Sequence, residues 1–402
     1  MMKYQRKWAI LSLLVLGAAL ISHGSASAQT NLPLWQYSTV SPADGNTYTG
    51  WMVGRSPYAH GMRTTNIQTF IVPIIVSVTD GLGGSFDPTA ADTTCLGTGA
   101  TVPNVPLTLF QQSPILTNSS FSFGSTNVGS TEYPDAFQRG NFWNSSANVA
   151  ATGNSYHTLL ANVTTLPAQT ISLPSGDGES YAASALAGSG GCGNFVVADY
   201  NTLNGLLAGT GGIIPQLLSA GTITPSSLVI FLTYNVVEAY PGESFSTGTK
   251  CCSLGFHSGY AASSVTPNSP VETYVTADFD STNLFGQPNV ASIAHQIGAW
   301  IDDPLGTSIS PYNVTPAWSA PSGNLVTCFN SLDPGYPLLG PLTVPGTAGA
   351  GITVVGANGF TYNLQELAFF SWFYRDDPSF AVNNWFSSNG TLTTDAGAVC
   401  GG

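Results

Sequence analysis

Charged side chains are scarce in this sequence of 402 residues, of which only 7% are Asp, Glu, Lys or Arg. Eight Lys and Arg stand against 21 Asp and Glu, so the formal net charge at pH 7 is −13. A chain this poor in cations would repel nucleic-acid phosphates, and we expect no nucleic-acid partner. The hydrophobic fraction of 43%, with 45 Gly and 26 Pro, is typical of an ordered protein rich in strands and loops.

Long apolar runs are also absent beyond the N-terminus, so we expect no membrane span in the mature chain. The N-terminus itself has the organisation of a secretion signal. A basic segment ends at Lys7, an apolar run covers residues 8–21, and Ala26-Ser27-Ala28 is a small-residue cleavage motif. We predict a signal peptide over residues 1–28 and a secreted protein, extracellular or periplasmic. The alternative is a single N-terminal membrane anchor.

Cleavage after Ala28 would remove three of the eight basic residues and none of the 21 acidic ones. The formal charge of the mature chain would then be −16 instead of −13. The mature chain is therefore expected to be strongly acidic.

No C-x-x-C pair occurs, and the wide cysteine spacing argues against a cysteine metal site. In an exported chain an even number of cysteines favours disulfides. Six cysteines allow 15 pairings, all of which remain open. Because a bond between sequence neighbours is strained, Cys251 and Cys252 are expected to have different partners. The six are Cys95, Cys192, Cys251, Cys252, Cys328 and Cys400.

Residues 288–304 predict a helix. Its pattern is that of a zinc-peptidase helix in which the catalytic base and one metal ligand are replaced. In the motif H-E-x-x-H, two His ligands at i and i+4 share one helical face, and the Glu is the general base. His295 occupies the first ligand position, Gln296 the position of the base, and Ala299 the second ligand position. Gln cannot accept a proton and Ala has no donor atom, so the pattern argues against ordinary metallopeptidase catalysis.

At these motifs the chain resembles a family of uncharacterised secreted bacterial proteins whose helix reads S-H-E-x-x-E-W-x-x-D-P. His295, Trp300 and Asp303 match that helix, whereas Gln296 and Ala299 replace its two Glu residues. The resemblance runs over most of the mature chain. It includes residues 44–48, 52–57, 86–89, 135–139, 255–257, 277–280, 316–318 and 365–374. It implies a zincin-like helix rather than a known reaction.

Downstream the family reads C-x-N-x-L-E-V-G-D-P-L, and its Glu resembles a third zincin ligand. This chain has Asp333 at that position, a carboxylate one methylene shorter, and Tyr336 in place of the later Asp. His257, which follows two neighbouring cysteines, is a further candidate ligand. If His257 and His295 converge, a metal site of His295, Asp333 and His257 becomes available. The alternative for each His is an ordinary buried or surface histidine.

Two carboxylates at the end of the predicted helix could have any of three roles. Asp302 and Asp303 lie seven and eight residues after His295, near its helical face. They are expected to bond the loop at the helix end, to orient His295 or to supply a ligand.

The predicted fold class is α+β, with a strand-rich N-terminal part over residues 29–185 and a zincin-like lobe over residues 186–402. The two parts form either separate lobes or one continuous domain. Buried strands are predicted over residues 69–78, 227–237 and 272–279, with another at Gly255 to His257. A last helix, apolar nearly all round, is predicted over residues 365–374.

The sequence therefore favours a secreted, disulfide-bonded, zincin-like protein without protease activity, a metallopeptidase-like pseudoenzyme. It would bind an unknown extracellular protein or polymer and need no cofactor. The first alternative is a metal-dependent hydrolase or peptidase that holds zinc through His257, His295 and Asp333. The second is a structural extracellular protein with no site.

Overall fold

A computed structural model describes most of the chain after the predicted signal peptide. The described residues are 31–40, 42, 45–60, 63–144, 149–152, 155–185, 190–240, 252–261, 269–284, 286–305, 332–338, 351–374 and 382–392. The signal peptide over residues 1–28 lies outside them, as do Cys251, Cys328 and Cys400. Within the described residues, no helix is long and apolar enough to cross a membrane.

Strands are the commonest elements, and their presence beside several helices confirms the α+β class. They are β1 (Leu34–Val40), β2 (Thr47–Val53), β3 (Thr64–Val78), β4 (Asp80–Gly81), β5 (Gly84–Phe86), β6 (Ser119–Phe123), β7 (Thr126–Thr131), β8 (His157–Thr165), β9 (Gln169–Ser172), β10 (Gly178–Ala182), β11 (Asn194–Asp199), β12 (Ser227–Tyr234), β13 (Val236–Ala239), β14 (Gly255–Tyr260), β15 (Glu272–Phe279), β16 (Gly351–Val355) and β17 (Thr361–Gln365).

The helices lie between these strands and are mostly short. They are α1 (Pro57–His60), α2 (Pro106–Gln111), α3 (Tyr133–Asn141), α4 (Val149–Thr152), α5 (Tyr200–Ala208), α6 (Ile213–Ser219), α7 (Ala291–Asp302) and α8 (Phe370–Phe373). Single 3₁₀ turns occur at Ala183–Ala185, Tyr336–Leu338 and Val382–Asn384.

A largely parallel sheet organises the molecule, in the order β14-β15-β12-β3-β5, with β8 and β9 also paired to β3. The strands β3, β8, β9, β12 and β15 run parallel, whereas β14 is antiparallel to β15 and lies at the edge. Seven of the eight residues of β12 and all of β15 are buried, which is typical of a parallel sheet covered on both faces. Because β3 pairs with β12, residues from both predicted parts share this sheet.

The strand predicted over residues 227–237 divides at Asn235. Asn235 has φ 53°, a left-handed conformation that Asn tolerates better than most residues. Its side-chain oxygen accepts the backbone N–H of Ser281 at 2.8 Å. The chain therefore leaves β12 and enters a second sheet, in the order β13-β11-β10-β4.

The helix predicted around His295 is α7, and every one of its residues is buried. It packs against β15, β14, β17, β2 and α3. Trp300 is fully buried, and its indole N–H donates to Thr273 Oγ1 at 3.0 Å. Small residues permit the close packing, since a Cβ added at Gly298 would lie 2.5 Å from Leu367 Cδ1. The helix is thus enclosed on all sides rather than along one stripe.

The helix predicted over residues 365–374 is wrong over most of its length. Gln365 ends β17, an antiparallel partner of β16, and only Phe370–Phe373 is helical. Glu366 explains the break, because its Oε1 accepts Ser387 Oγ at 2.7 Å and the backbone N–H of Asn389 at 2.9 Å. These bonds are made to a different part of the chain. Long-range hydrogen bonds thus overrode an apolar sequence pattern.

One disulfide joins the two predicted parts of the chain. Cys95 and Cys192 are bonded, 97 residues apart in the sequence, with their Cα atoms 5.7 Å apart. Cys252 is also in a disulfide, and no cysteine in the described part is free.

The burial of α7 predicts a large cost for truncating its largest side chain. Trp300→Ala should lower the free energy of unfolding by about 3–5 kcal/mol, because it leaves a cavity and removes the bond to Thr273. Denaturation in guanidinium chloride measures the loss. Val355→Ala is the control, since Val355 is 68% exposed and its change should stay within about 0.5 kcal/mol. Equal losses in both variants would show that α7 is not part of the core.

Candidate functional site

The three predicted ligands come from three different elements that meet at α7. The helix carries His295, edge strand β14 carries His257, and the segment of residues 332–338 carries Asp333. His295 Nε2 lies 3.3 Å from Asp333 Oδ1, and both side chains are buried. His257 Nδ1 lies 3.4 Å from Oε1 of Gln296, the neighbour of His295 on the helix. The structure therefore brings all three candidates into one region.

The 332–338 segment is held against the helix by local and long-range contacts. The backbone N–H of Leu332 donates to Asp303 Oδ2 at 3.2 Å, and that of Gly335 donates to Asp333 Oδ1 at 3.2 Å. The N–H of Ala368 donates to the carbonyl oxygen of Pro334 at 2.7 Å. These bonds fix the Asp333 carboxylate beside the helix.

Gly335 packs directly on the imidazole of His295. A Cβ added at Gly335 would lie 2.0 Å from His295 Nδ1 and 2.4 Å from its Cε1, far inside van der Waals contact. Only glycine fits here without displacement of the ring or the chain. The His295 ring is thus confined between the 332–338 segment and its own helix.

The orientation of His257 is fixed by the end of the helix. His257 Nε2 lies 2.9 Å from the backbone oxygen of Asp303, an acceptor, so Nε2 carries the proton and donates. In the neutral ring only Nδ1 then retains a lone pair, and Nδ1 faces Gln296. A metal could be held only through Nδ1 unless the bond to Asp303 were broken.

Gln296 connects the helix to the edge strand. Its amide Nε2 donates to the backbone oxygen of Gly255 at 3.0 Å, at the beginning of β14. Ser292, one turn earlier, adds a bond from Oγ to the backbone oxygen of Leu254 at 2.6 Å. Gln296 therefore connects α7 to β14 through its side chain.

The electrostatic setting favours a neutral His257 beside an ionised Asp333. Burial lowers the pKa of His257, although the nearby Asp333 carboxylate and Gln296 act in the opposite direction. Burial alone would raise the pKa of Asp333, but the charge and hydrogen bond of His295, followed by His257, hold it below its usual value. Asp333 thus carries a negative charge beside the two histidines.

The two carboxylates at the end of α7 bind neighbouring segments. Asn141 Nδ2 donates to Asp302 Oδ2 at 3.2 Å, which connects α7 to α3. Burial nevertheless raises the pKa of Asp302 well above its ordinary value. Asp303 accepts from Leu332 through its side chain and from His257 through its backbone. Of the interpretations given for this pair, bonding the chain around the helix end is what these contacts describe.

The donor set fits a zinc ion only in part. Two ligands of a tetrahedral zinc ion at 2.0–2.1 Å are about 3.3–3.4 Å apart, and His295 Nε2 and Asp333 Oδ1 have this spacing. A third ligand is missing from this arrangement. His257 Nε2 is bonded to the backbone of Asp303, and Ala299 has no ligand atom. Within the described residues, no three His, Cys, Asp or Glu side chains are grouped to hold a metal ion.

Two features of the site were not found by sequence reasoning. The close approach of Gly335 to His295 depends on the path of the 332–338 segment, and 45 glycines give no local signal for one of them. The binding of His257 to a backbone oxygen of residue 303 likewise has no sequence signature. Both depend on contacts between residues far apart in the chain.

Comparisons with known proteins leave the chain without an assigned relative. No family model matches it, no curated protein matches it, and no solved structure matches it.

The packing of Gly335 on His295 predicts a site-specific cost for adding one methyl group. Gly335→Ala should displace the imidazole or the 332–338 segment and lower the free energy of unfolding by about 1–3 kcal/mol, as overpacking does. Gly205→Ala is the matched control. Gly205 is exposed in α5 with open space around it, so its replacement should be neutral or stabilise by up to about 1 kcal/mol. A neutral Gly335→Ala would contradict this packing.

Proposed function

We propose that this protein is a secreted, disulfide-bonded, zincin-like binding protein that does not cleave peptide bonds. The observation that carries the proposal is the role of Gln296. Its carboxamide stands where a zinc peptidase has its general base, and it donates to the backbone of Gly255. A carboxamide cannot take the proton of a metal-bound water, and Ala299 supplies no second helical ligand.

The edge of the central sheet supports a binding role for the same region. Strand β14 lies at the sheet edge and packs on α7. The N–H of Asp278 donates to the backbone oxygen of Leu254 at 3.1 Å, immediately before β14. In an antiparallel pair, every second residue bonds the partner strand, so residues 256, 258 and 260 of β14 bond β15. The backbone groups of His257 and Gly259 then point away from β15, and no strand of the described part pairs with them. Such an edge can accept an extended polypeptide as an added strand.

The ligand we propose is therefore an extended segment of another extracellular protein. Backbone pairing along β14 would supply the affinity. No metal or base is needed for this activity.

A second candidate is a metal-dependent hydrolase that holds zinc through His257, His295 and Asp333. The observation in its favour is the 3.3 Å spacing of His295 Nε2 and Asp333 Oδ1, which suits two ligands of one zinc ion. The zinc would supply an activated water, but the chain offers no carboxylate at position 296 to take its proton. We therefore rank this function below binding without catalysis.

Zinc binding separates the two candidates. Wild-type protein, purified without metal and titrated with Zn²⁺, should hold no stoichiometric zinc and show no chelator-sensitive proteolysis. The double variant Gln296→Glu with Ala299→Glu rebuilds the helix of the resembling family and should bind one zinc ion. Gln296→Glu alone is the matched control, since it adds a base but no helical ligand at position 299 and should bind no more zinc than wild type. Stoichiometric zinc with chelator-sensitive cleavage in wild type would establish the hydrolase instead.

Binding along β14 can be tested with β-casein, an unfolded extracellular protein, as the probe. Wild-type protein should bind β-casein in biolayer interferometry and leave it intact on a gel. Gly259→Pro removes an outward-facing N–H without removing a ladder bond, and should weaken binding about tenfold or more. Gly259→Ala keeps that N–H and should bind as wild type does. Equal binding by both variants, or none by wild type, would reject β14 as the binding edge.

A further inference from the structure

The face of β15 opposite α7 carries buried oxygen atoms that the site around His295 does not use. Side chains alternate along a strand, so Tyr274, Thr276 and Asp278 share one face. Tyr274 belongs to the core cluster formed with α5 and α6, whereas Val275 belongs to the cluster formed with α7. Thr276 is 0% exposed and Asp278 1%. Thr276 Oγ1 and Asp278 Oδ2 have no hydrogen-bond partner within the described part of the chain.

A third buried oxygen reaches this region from the neighbouring sheet. Glu238 in β13 is 2% exposed, and its Oε2 also has no partner among the described residues. The backbone of Glu238 bonds that of Ser253 in both directions, at 2.7 and 2.8 Å. The next residue, Leu254, accepts the N–H of Asp278. The backbone of residues 253–254 therefore bonds Glu238 on one side and Asp278 on the other.

Glu238 and Asp278 lie on neighbouring elements that are in direct contact. The N–H of Val236 donates to Asp278 Oδ1 at 2.8 Å, and Glu238, two residues further along β13, lies on the same face of the strand as Val236. Burial, and then the charge of Asp278, raises the pKa of Glu238 well above its ordinary value. Burial, and then the charge of Asp280, does the same to the pKa of Asp278. Glu238 also contributes to the raised pKa of Tyr274, which lies on the other side of Thr276 along the strand. Glu238 thus lies across from the stretch of β15 that includes Thr276.

Two buried carboxylates without a countercharge need either protons or a cation. The charged groups that act on Glu238 and Asp278 in the described part of the chain are themselves acidic. The hydroxyl of Thr276 adds a neutral oxygen that also lacks a partner. A bound cation would satisfy all three oxygen atoms together and would also balance the negative charge of the two acids.

We propose that Glu238, Thr276 and Asp278 form a binding site for a calcium ion. Every donor is an oxygen atom, which suits a hard cation and not zinc or copper. Mg²⁺ demands near-ideal octahedral geometry and keeps several waters, whereas Ca²⁺ accepts irregular sites of six to eight oxygens. The described residues contain no group of three His, Cys, Asp or Glu side chains that could hold a metal ion. The proposed site has only two carboxylates, and its third donor is a hydroxyl. Main-chain carbonyls and water complete such a shell.

Aromatic rings surround the carboxylates and lead to the surface. The ring centroids of Tyr200 and Tyr240 are 4.5 Å apart, and those of Tyr200 and Phe256 are 4.9 Å apart. Tyr240 is 40% exposed, so the cluster extends from the buried acids to solvent. Tyrosines this close to the acids also provide a spectroscopic probe, because they can sensitise Tb³⁺ bound in place of Ca²⁺.

The ion would add a further connection between the two sheets, beside the backbone bonds at residues 253–254. Glu238 belongs to the second sheet, whereas Thr276 and Asp278 belong to the central sheet. Strand β14, which carries His257, begins directly after this junction. Calcium would therefore stiffen the base of the edge strand. The site and its test do not depend on the proposed binding function.

The experiment is a calcium titration of the chelator-treated full chain. Calcium should raise the melting temperature by roughly 2–5 °C at 10 mM, with a Kd of about 10⁻⁴–10⁻³ M, as in extracellular modules. Tb³⁺ should give tyrosine-sensitised luminescence that Ca²⁺ displaces and Mg²⁺ displaces at least about tenfold less well. A melting temperature indifferent to Ca²⁺, together with no sensitised Tb³⁺ emission, overturns the proposal.

Isosteric variants locate the site. Glu238→Gln and Asp278→Asn should each weaken Ca²⁺ binding at least about tenfold. Both should melt in chelator at or above the wild-type temperature, because a buried uncompensated carboxyl is removed, so a lost response is not a lost fold. Glu272→Gln is the matched control. Glu272 is also buried on β15 with an unpartnered Oε2, and burial raises its pKa to about 9, but it lies at the far end of the strand. An unchanged Ca²⁺ response in Glu238→Gln, or one lost in Glu272→Gln, overturns the assignment.

Discussion

Enclosure of α7 on all sides determines which chemistry the site can support. The helix is surrounded by β15, β14, β17, β2 and α3, and none of its residues is exposed. Each polar side chain on it must therefore find a partner inside the protein. Gln296 meets this need through Gly255, and Trp300 through Thr273. Gln296 is fixed by the same bonds that attach the edge strand to the helix.

The histidines follow from the same constraint. His257 donates to the backbone oxygen of Asp303, the residue that follows α7. His295 is confined by Asp333 and Gly335. These contacts hold both imidazoles in place, and the His295–Asp333 pair keeps the spacing of two zinc ligands. Both rings are thus positioned by buried contacts between segments that are far apart in the sequence. In the proposed binding function, the partner would use the outward edge of β14.

The fold was predictable from the sequence where pattern and environment agree. Strand β15 matches the predicted bounds of residues 272–279, and all eight of its residues are buried. Helix α7 was predictable from its helical spacing of apolar residues. The helix predicted over residues 365–374 is wrong because Glu366 bonds to Ser387 and Asn389, partners that no local window includes. The break of the predicted 227–237 strand at Asn235 depends on a bond to Ser281, 46 residues away.

The site was predictable to the extent that it follows from motif positions. The grouping of His257, His295 and Asp333 was an open question in the sequence, and the structure places them together. Their hydrogen-bond partners were not predictable, since the Asp303 carbonyl and the Gly335 backbone contribute no side-chain signal. The acids on the other face of β15 were equally hidden, because Glu238 and Asp278 come from separate strands.

The central claim is that the site is closed by its own hydrogen bonds and holds no catalytic metal. A crystal structure after a zinc soak, with anomalous data at the zinc edge, tests it most directly. The account predicts no anomalous peak between His295 and Asp333, with His257 Nε2 still bonded to the Asp303 carbonyl at 2.9 Å. A peak about 2.0–2.2 Å from both His295 Nε2 and Asp333 Oδ1, with His257 turned to bind the same ion, would contradict it.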